Sequence, residues 1–487
     1  MNEPNKTIVQ TNKDVKDGQN KCPMCGSTDI STNTQKGKLR CNFCRHEFEV
    51  EKLEGMVTDL ENLQGEVLAS GAQDISASAE DVVTFKCSSC GAEVVLDTTS
   101  ALNARCHWCR NTLSQNQQIP NGAVPDVVLP FGIDKQVARD EIERFVGKRK
   151  FFAHPQFTKE FTTENIMGVY FPYMLVDVNS HVDLKGQGEH QVRSYTEKEG
   201  DHYNTYYDAD LFNVERKFDL IINGLTIESS LDRLDKHNKE KTNNIINAIM
   251  PFDIESCAKY NAHYLQGYSS EKRDTNIDDL KEIVGEQAKD IARFSANETL
   301  KEYDRGVRWD NENLKVKGQQ WTSAYLPVWL YSYQEKKGEK SVLHYVAVNA
   351  RTKKTMGSVP IHMPKLIAIS ALLELLGILG IIFLEDFRFR YLFALIGIIY
   401  YFVMYARYRN AGARHHYETQ TKTKMNNLEK QDQYVRRETR LSSSVMEGAN
   451  NKSIHGESTS KRLVNNLINQ NGIASAIKKQ MEQKKDE

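Results

Sequence analysis

One long apolar run interrupts a chain that is otherwise mostly polar or alternating. The nineteen residues from Leu366 to Leu384 contain only Ser370 and Glu374 as polar positions. At about 1.5 Å of helical rise per residue, this length approaches the roughly 30 Å hydrocarbon core of a bilayer. The run therefore predicts a transmembrane helix, with a buried helix of a soluble domain as the alternative.

A second, shorter apolar run follows after a charged connection. It covers the fifteen residues from Tyr391 to Tyr405. Phe387 and Phe389 can lengthen it, because the arginines beside them can extend their charged heads to the interface. The two runs together predict a transmembrane hairpin over residues 363–408, and a buried helical hairpin is again the alternative.

Basic residues lie at the outer ends of this predicted hairpin. They are Arg351, Lys353, Lys354 and Lys365 before it, and Arg407, Arg409 and Arg414 after it. Cytosolic flanks of membrane helices carry such an excess of Lys and Arg. The first residues of the chain lack the basic and apolar regions of a signal peptide. We therefore expect a two-pass cell-membrane protein with both termini in the cytosol.

Glu374 is the one carboxyl group deep in the first predicted span. A charge at that depth costs about 2.5 kcal/mol or more on insertion scales. Glu374 is therefore predicted to face another helix and not lipid. The candidates are the second span, reached through Gly397 or Tyr400, and another copy or a membrane partner; a neutral, unpaired acid is the alternative.

The remaining periodicities predict an α+β domain with flanking segments. Helical spacing indicates an acidic amphipathic helix over Glu51 to Ala69, and a helix capped by Asp134. Alternating and β-branched stretches indicate strands over Gly168 to Val182 and Tyr325 to Tyr333, with a long helix from Ile277 between them. Ser70 to Glu80 has the composition of a flexible tether.

Two six-residue pieces of this domain are similar to each other. They are Tyr170 to Leu175 and Tyr325 to Leu330, each with a Tyr-x-Pro core. This similarity predicts two related β-subdomains, although a match of this length also arises by chance.

Eight of the nine cysteines form four C-x-x-C pairs. A shift of 65 residues places each cysteine of the first set on one of the second; the sets are Cys22, Cys25, Cys41 and Cys44, and Cys87, Cys90, Cys106 and Cys109. Two such pairs can supply a tetrahedral four-sulfur shell, so the chain is predicted to hold two zinc ions in two zinc ribbons. Four thiolates leave no open position for substrate, so the ions are structural.

Other uses of the cysteines fit less well. Disulfides need an oxidising compartment, and the chain shows no export signal. Redox-active C-x-x-C pairs occur singly at a helix start, not as matched sets. The ninth, Cys257, is predicted to be a small buried residue.

Charge bears on what the ribbons bind. The chain has a net charge of −1 overall, and each four-cysteine site adds about −2 to its ribbon. Binding driven by nucleic-acid phosphates is therefore not favoured. Phe43 and Trp108 occupy matching positions and are predicted to fill small ribbon cores, with an exposed contact as the alternative. The C-terminal residues 407–487 are basic, with sixteen Lys or Arg against nine Asp or Glu.

These patterns divide the chain into seven segments. They are ribbon 1 (1–50), the acidic helix and linker (51–80), ribbon 2 (81–113), a linker (114–125), the α+β domain (126–362), the transmembrane hairpin (363–408) and a basic, largely disordered cytosolic tail (409–487).

The ribbons, the closing membrane segments and three motifs give the chain a family resemblance. The motifs are Val128 to Phe131, Gly168 to Pro172 and Tyr325 to Trp329. On these, the chain resembles the bacterial membrane-anchored proteins described as transcription-factor-IIB-type zinc-ribbon-containing proteins, over roughly residues 1–410. The resemblance implies membrane partners and a link to envelope stress, and it transfers no catalytic residue.

Sequence signatures of common enzymes are absent. The pairs Gly37-Lys38 and Gly147-Lys148 are followed by Leu39 and Arg149, so neither completes a P-loop. The sequence thus favours a non-enzymatic membrane-anchored adaptor that recruits or organises proteins at the cytosolic face of the bacterial membrane. The alternative is a membrane-tethered protein that binds nucleic acid. No small-molecule substrate is predicted.

Overall fold

The fold is built around one large β-sheet, seen here in a computed structural model. The structure describes residues 6–9, 22–25, 27, 30–33, 38–48, 56–73, 82–86, 93–97, 118–119, 125–199, 202–230, 247–260, 262–265, 267–271, 273, 275–337, 340–383, 395–408 and 417–442.

The strands are β1 Lys6–Val9, β2 Ile30–Asn33, β3 Lys38–Cys41, β4 Glu47–Phe48, β5 Gly65–Ala69, β6 Val82–Lys86, β7 Glu93–Asp97, β8 Gln118–Ile119, β9 Val127–Val128, β10 Ile166–Glu199, β11 His202–Glu228, β12 Ala258–Lys259, β13 Ser269–Glu271, β14 Val307–Lys337, β15 Lys340–Asn349, β16 Thr355–Gly357 and β17 Lys422–Leu441. The helices are α1 Lys135–Gly147, α2 Pro155–Lys159, α3 Ile277–Asn297, α4 Met363–Phe383, α5 Ile396–Tyr408 and α6 Tyr417–Gln420.

The centre of the sheet is the antiparallel pair of β10 and β14. They pair from Ile166 opposite Tyr331 to Gly188 opposite Val307. At one end of this pair, β14 also pairs with β15, and β10 with β13. In the middle of the pair, β14 pairs with β5. Strand β10 pairs with β11 from Tyr173 to its end at Glu199. Beyond Gly188, the hairpin of β10 and β11 continues to Glu199 opposite His202.

Both faces of this central pair are covered by apolar residues. On one face, α1 packs over Tyr170 and Trp329, and α3 packs over Val176 and Trp321. On the opposite face, Ile249, Met250 and Phe252 cover Phe171 and Leu326. The alternation of these residues along each strand follows from the two-residue period of β-structure. The core of the predicted α+β domain therefore lies in layers on either side of one sheet.

Several predicted elements are present as expected. Helix α1 begins after Asp134, whose carboxylate accepts a hydrogen bond from the Val137 N–H at 2.8 Å. Helix α3 begins at Ile277 with a capping box formed by Asn276 and Asp279. Its buried residues recur at the helical spacing that predicted it, and they face the sheet.

The two similar pieces do not form two subdomains. Tyr170 lies opposite Pro327, and Pro172 lies opposite Tyr325, so the pieces are neighbouring strands in the middle of one sheet. Their similarity reflects a shared environment, because both occupy the same stretch of the central antiparallel pair.

The acidic helix predicted over Glu51 to Ala69 is wrong over its C-terminal part. Residues Leu60–Asn62 form a 3-10 turn, and Gly65–Ala69 is a strand that pairs with β14 on one edge and β1 on the other. Gly65 has a φ of 70°, which an α-helix does not allow. A short apolar run fits both helix and strand, and here the pairing edge of β14 decides for the strand.

The predicted tether does not begin at Ser70. Ser70–Ala72 form a 3-10 turn in which Gly71 and Ala72 are buried. The buried Arg273 guanidinium donates to the carbonyl oxygens of Gly71 and Gln73 at 2.7 and 2.8 Å. The carboxylate of Asp126 accepts from the Gly71 N–H at 2.6 Å. These buried bonds hold the turn in the domain.

The C-terminal tail is not disordered throughout. Lys422–Leu441 form β17, which pairs with β11 from Asn223 opposite Lys422 to Tyr207 opposite Leu441. Most of its side chains are exposed and polar, so the sequence lacks the alternation of apolar and polar residues that would predict a strand. The backbone bonds to β11 hold it, and Met425 and Leu428 add apolar contacts at the core of α3.

One helix of the predicted hairpin has the length and composition of a membrane span. In the part of the chain that the structure describes, one helix segment, Met363–Gly380, is long and apolar enough to cross a membrane. The second helix of the predicted hairpin, α5, has 13 residues and a length of about 20 Å. Residues 384–394 lie outside the described part, so the two-span hairpin stays a prediction.

The pairing of β17 with the sheet gives a first test. The side chain of Arg216 on β11 is fully buried, and its guanidinium donates to both carboxylate oxygens of Asp432 on β17, at 2.5 and 3.0 Å. Removing the carboxylate leaves a buried cation with only the more distant Glu302 carboxylate, at 3.9 Å. We expect Asp432→Ala to lower the free energy of unfolding by about 2–3 kcal/mol, measured by urea unfolding of the detergent-solubilised chain followed by tryptophan fluorescence.

The matched control is Asp310→Ala. Asp310 pairs with Arg308 at 3.0 Å, but both side chains are largely exposed, so this change should cost well under about 1 kcal/mol. Equal stability of the two variants would show that β17 does not depend on the Arg216 pair.

Candidate metal centre and membrane-facing helices

The first set of cysteines forms a compact group. The sulfur atoms of Cys22, Cys25, Cys41 and Cys44 all lie within 4.8 Å of one another. Two pairs are closest, Cys22 with Cys44 and Cys25 with Cys41, each at 3.5 Å. Zinc–sulfur bonds of about 2.3 Å in a tetrahedron place sulfur atoms about 3.8 Å apart. The group therefore fits one zinc ion, as the spacing predicted.

Two tight turns bring these sulfur atoms together. The Cys22 N–H donates to the Ser27 carbonyl at 2.8 Å, and the Cys41 N–H donates to the His46 carbonyl at 2.9 Å. In the second turn the Arg45 N–H donates to the Cys41 carbonyl, and Arg45 has a φ of 62°. This left-handed conformation favours glycine, and Gly26 is the residue at the matching position of the first pair.

Two neighbouring thiols of this group, Cys25 and Cys41, differ in pKa. A hydrogen bond from the Cys44 N–H to the Cys41 sulfur, at 3.5 Å, helps to lower the pKa of Cys41 to about 6. The Ser27 N–H lowers the pKa of Cys25, but desolvation and the neighbouring sulfurs outweigh it and raise that pKa to about 12. Binding a divalent cation removes this difference, because it stabilises all four thiolates and displaces their protons.

The ribbon is anchored on the α+β domain. Its strands β2, β3 and β4 form a separate three-stranded sheet. Leu39 of β3 is buried in the same apolar cluster as Tyr264, Leu265 and α1. The ribbon therefore shares its core with the domain and does not need a core of its own.

This arrangement overturns the interpretation of Phe43. The side chain of Phe43 is 80% exposed, so it does not fill a ribbon core. Met24, at the same position of the first C-x-x-C pair, is 71% exposed. Each turn around the metal centre thus carries one exposed apolar side chain. Met24 was not among the predicted residues, although it takes the same position between two cysteines as Phe43.

The second set of cysteines, Cys87, Cys90, Cys106 and Cys109, lies outside the described residues. The strands beside its first pair are described: β6 pairs with β7 from Val82 opposite Asp97 to Lys86 opposite Glu93. Strand β7 also pairs with β13 of the large sheet. Trp108 is outside the described part as well.

Glu374 lies between helices α4 and α5. Its carboxylate accepts hydrogen bonds from the N–H groups of Gly397 at 2.8 Å and Ile398 at 3.4 Å, at the start of α5. The carboxylate therefore lies at the N-terminal turn of α5, where backbone N–H groups favour a negative charge. The contact is the intrachain candidate reached through Gly397; a role for Glu374 in assembly stays a prediction.

Small residues let the two helices approach closely at this point. A Cβ atom added to Gly397 would lie 2.2 Å from the Ser370 carbonyl oxygen and 2.7 Å from the Glu374 Cβ. Close backbone approach through small residues is typical of helix pairs in membranes, where apolar side chains gain nothing by leaving lipid.

The outward faces of both helices are apolar and exposed. Only 17% of Met363–Gly380 is buried against the rest of the described chain. The exposed side chains are Ile367, Leu372, Leu375, Leu376, Ile378 and Leu379 on α4, and Ile396, Ile398, Ile399, Phe402 and Val403 on α5. A buried core helix would not show such a surface, and a contiguous apolar patch of this kind marks a membrane or protein contact.

Other candidate residues have local partners. Burial raises the pKa of the Cys257 thiol to about 12, so it stays protonated at neutral pH. On the polar surface of the sheet, Asp219 accepts hydrogen bonds from Lys317 at 2.6 Å and Asn427 at 2.8 Å, and lies 2.9 Å from His181. These contacts join side chains of β10, β11, β14 and β17 across the polar surface of the sheet.

Comparison with protein-family models, with curated proteins and with solved structures found no match. The resemblance to zinc-ribbon-containing membrane proteins therefore stays a prediction.

The metal centre gives the second test. Cys41 is buried and contributes one of four sulfur ligands. We expect Cys41→Ser to lower the metal content of the purified chain by one ion, because a three-thiolate remainder binds zinc far more weakly. Metal content is measured by mass spectrometry of the intact protein. Cys257→Ser is the control and should leave the metal content unchanged; a Cys41→Ser chain with full metal content would contradict the assignment.

The helix contact gives the third test. In Gly397→Val the new side chain would collide with the Ser370 carbonyl and separate α4 from α5. Overpacking of this kind costs about 1–3 kcal/mol, so the variant should unfold at a lower temperature in detergent. Gly380→Val on α4 is the control, because an added Cβ there meets nothing within 4 Å. Similar unfolding temperatures for the two variants would argue against the close contact.

Proposed function

We propose that the chain is a non-enzymatic, membrane-anchored adaptor that recruits or organises proteins at the cytosolic face of the bacterial membrane. The observation that carries this proposal is one continuous apolar cluster. It contains Leu39 of the ribbon, Leu366 of α4 and Tyr408 of α5. The metal-binding ribbon is thereby held in a fixed position relative to the helices that enter the membrane.

Membrane anchoring is supported by the apolar outward faces of α4 and α5. Water would solvate these side chains unfavourably, at about 25 cal/mol for each Å² of apolar surface. Lipid removes that cost. The closely packed contact between the helices, with Glu374 satisfied by the N–H groups at the start of α5, is also suited to an apolar surrounding.

A two-pass arrangement with both termini in the cytosol is supported by where the chain leaves and rejoins the sheet. Helix α4 begins shortly after β16. Helix α5 ends at Tyr408, whose hydroxyl accepts a hydrogen bond from the Phe152 N–H at 3.0 Å. The chain then returns to the sheet as β17. The segments before α4 and after α5 thus belong to the same folded domain, which would place both on the same side of the membrane.

The ribbon is the proposed protein-binding element. Met24 and Phe43 project from the two turns around the metal centre, and exposed apolar side chains on a rigid platform are typical of protein contacts. We propose a structural zinc ion at this centre, and a second one at Cys87, Cys90, Cys106 and Cys109, on the support of the 65-residue repeat. A tetrathiolate ion supplies folding energy and no catalytic position.

The fourth test removes the exposed side chains. In Met24→Ser/Phe43→Ser the ribbon should keep its metal, because neither residue is a ligand. We expect proteins that co-purify with the native chain from mild detergent extracts to be reduced at least about tenfold, since truncation of central apolar contacts typically costs about 2 kcal/mol or more. Quantitative mass spectrometry of the co-purified proteins measures the change.

The matched control is Val316→Ser/Val435→Ser, which removes two exposed apolar side chains from the sheet. It should retain the partners. Flotation of each variant with membranes checks that the anchor is intact. Recovery of nucleic acid in place of proteins, with strong salt dependence, would favour the nucleic-acid-binding alternative. Recovery of the same proteins from both double variants would reject the ribbon as the binding element.

A further inference from the structure

Five basic residues lie together where the domain meets α4 and α5. Lys148, Arg149 and Lys150 follow the C-terminal end of α1, Lys365 is in the first turn of α4, and Arg407 is in the last turn of α5. We call this group the basic collar. All except the half-buried Arg149 are exposed.

Contacts with the ends of the membrane-facing helices bring the collar together. The Lys365 ammonium donates to the Phe151 carbonyl at 2.7 Å, and the Arg149 Nε–H points to the Arg407 carbonyl at 3.5 Å. The Arg149 guanidinium also stacks on the Phe145 ring at 4.0 Å. The cations therefore lie beside the bases of both helices and not along the length of the domain.

The charges of the collar are not balanced by the protein. Among the described residues, no acidic side chain lies within 4.0 Å of any of the five, whereas Arg216, Arg293, Arg305 and Arg437 each have such a partner. Burial and the nearby charge of Arg407 lower the pKa of Arg149. Cations held close together without a counter-ion attract an anion from outside the chain.

An aromatic side chain accompanies these cations. Phe151 is 60% exposed, and the Lys365 ammonium lies 3.9 Å from the centre of its ring. Aromatic and basic residues at the end of a membrane helix are typical of the headgroup region. The apolar faces of α4 and α5 continue directly from this point, so the collar borders the surface that lipid would cover.

We propose that the basic collar binds the phosphate-bearing headgroups of anionic phospholipids in the cytosolic leaflet. The proposal rests on the membrane anchoring proposed above. Lipid is favoured over a dissolved anion because Phe151 and the helix faces offer contacts that only an acyl chain can use. The collar would hold the domain in one orientation relative to the membrane and make its attachment depend on lipid charge.

The fifth test measures lipid binding by the full-length chain in a neutral detergent. Dioctanoyl phosphatidylglycerol is titrated and binding is followed by the rise in unfolding temperature, with dioctanoyl phosphatidylcholine and inorganic phosphate as the comparison probes. We expect phosphatidylglycerol to bind more tightly than either. Each basic residue near a membrane surface contributes a factor of about five in affinity for anionic lipid. Arg149→Gln/Arg407→Gln should therefore weaken phosphatidylglycerol binding about 25-fold.

A second variant keeps the test valid if loss of the Arg149 stacking disturbs the fold. Lys148→Gln/Lys150→Gln removes two exposed cations and should give a loss of the same size. The control, Lys301→Gln/Lys315→Gln, removes the same charge from exposed positions outside the collar, and it should retain native affinity.

Three results would overturn the proposal: equal binding of the two lipids, an equal loss in the control, or inorganic phosphate that binds as tightly as phosphatidylglycerol. Flotation of the native chain with liposomes that are washed at alkaline pH distinguishes a collar without lipid preference from a failure of the membrane anchor. A chain that does not float rejects the proposed anchoring, whereas one that floats without lipid preference rejects only the collar.

Discussion

The antiparallel pairing of β10 with β14 is the interaction on which the rest of the structure depends. The pair is much longer than an average strand, so each strand offers several separate stretches of edge to other elements. Segments from distant parts of the chain use these stretches, including β5, β9, β13 and β15. One face of the pair also exposes apolar side chains that must be covered, which fixes the positions of α1 and α3. The ribbon and helices α4 and α5 then attach to the same apolar cluster as α1.

Sequence patterns predicted the elements whose stability is local. Helix α1 and helix α3 carry their own caps and a regular apolar stripe, and the central strands are rich in β-branched and aromatic residues. The sequence patterns failed where pairing with another strand decides the secondary structure. Gly65–Ala69 is a strand because β14 and β1 lie on either side of it, and Lys422–Leu441 is a strand because β11 leaves an edge beside it. A polar edge strand has no hydrophobic period to detect, and its many charges suit an edge that must not pair with other chains.

The candidate site divides in the same way. Cysteine spacing predicted that Cys22, Cys25, Cys41 and Cys44 come together, because the geometry of a C-x-x-C turn is contained within four residues. The exposure of Phe43 could not be predicted, since Leu39 of the ribbon is buried in a cluster with Tyr264 and Leu265, more than two hundred residues away in sequence, and the ribbon needs no core of its own. The basic collar could be predicted only in part: Lys365 and Arg407 flank the two apolar runs, but the cations from Lys148 to Lys150 follow α1 and meet them only in the folded chain. Residues that act through tertiary proximity leave no mark in local spacing.

The position of β17 after α5 has a consequence for biosynthesis. Synthesis proceeds from the N-terminus, so β11 pairs with its outer neighbour only after α4 and α5 have left the ribosome. During that interval the Arg216 guanidinium lacks the Asp432 carboxylate, and the edge of β11 is open. If the helices enter the membrane as they emerge, the last strand of the sheet is added beside the bilayer surface. Under the proposed anchoring, the domain would reach its final stability only after its helices have entered the membrane, and folding of the sheet would be completed beside the bilayer.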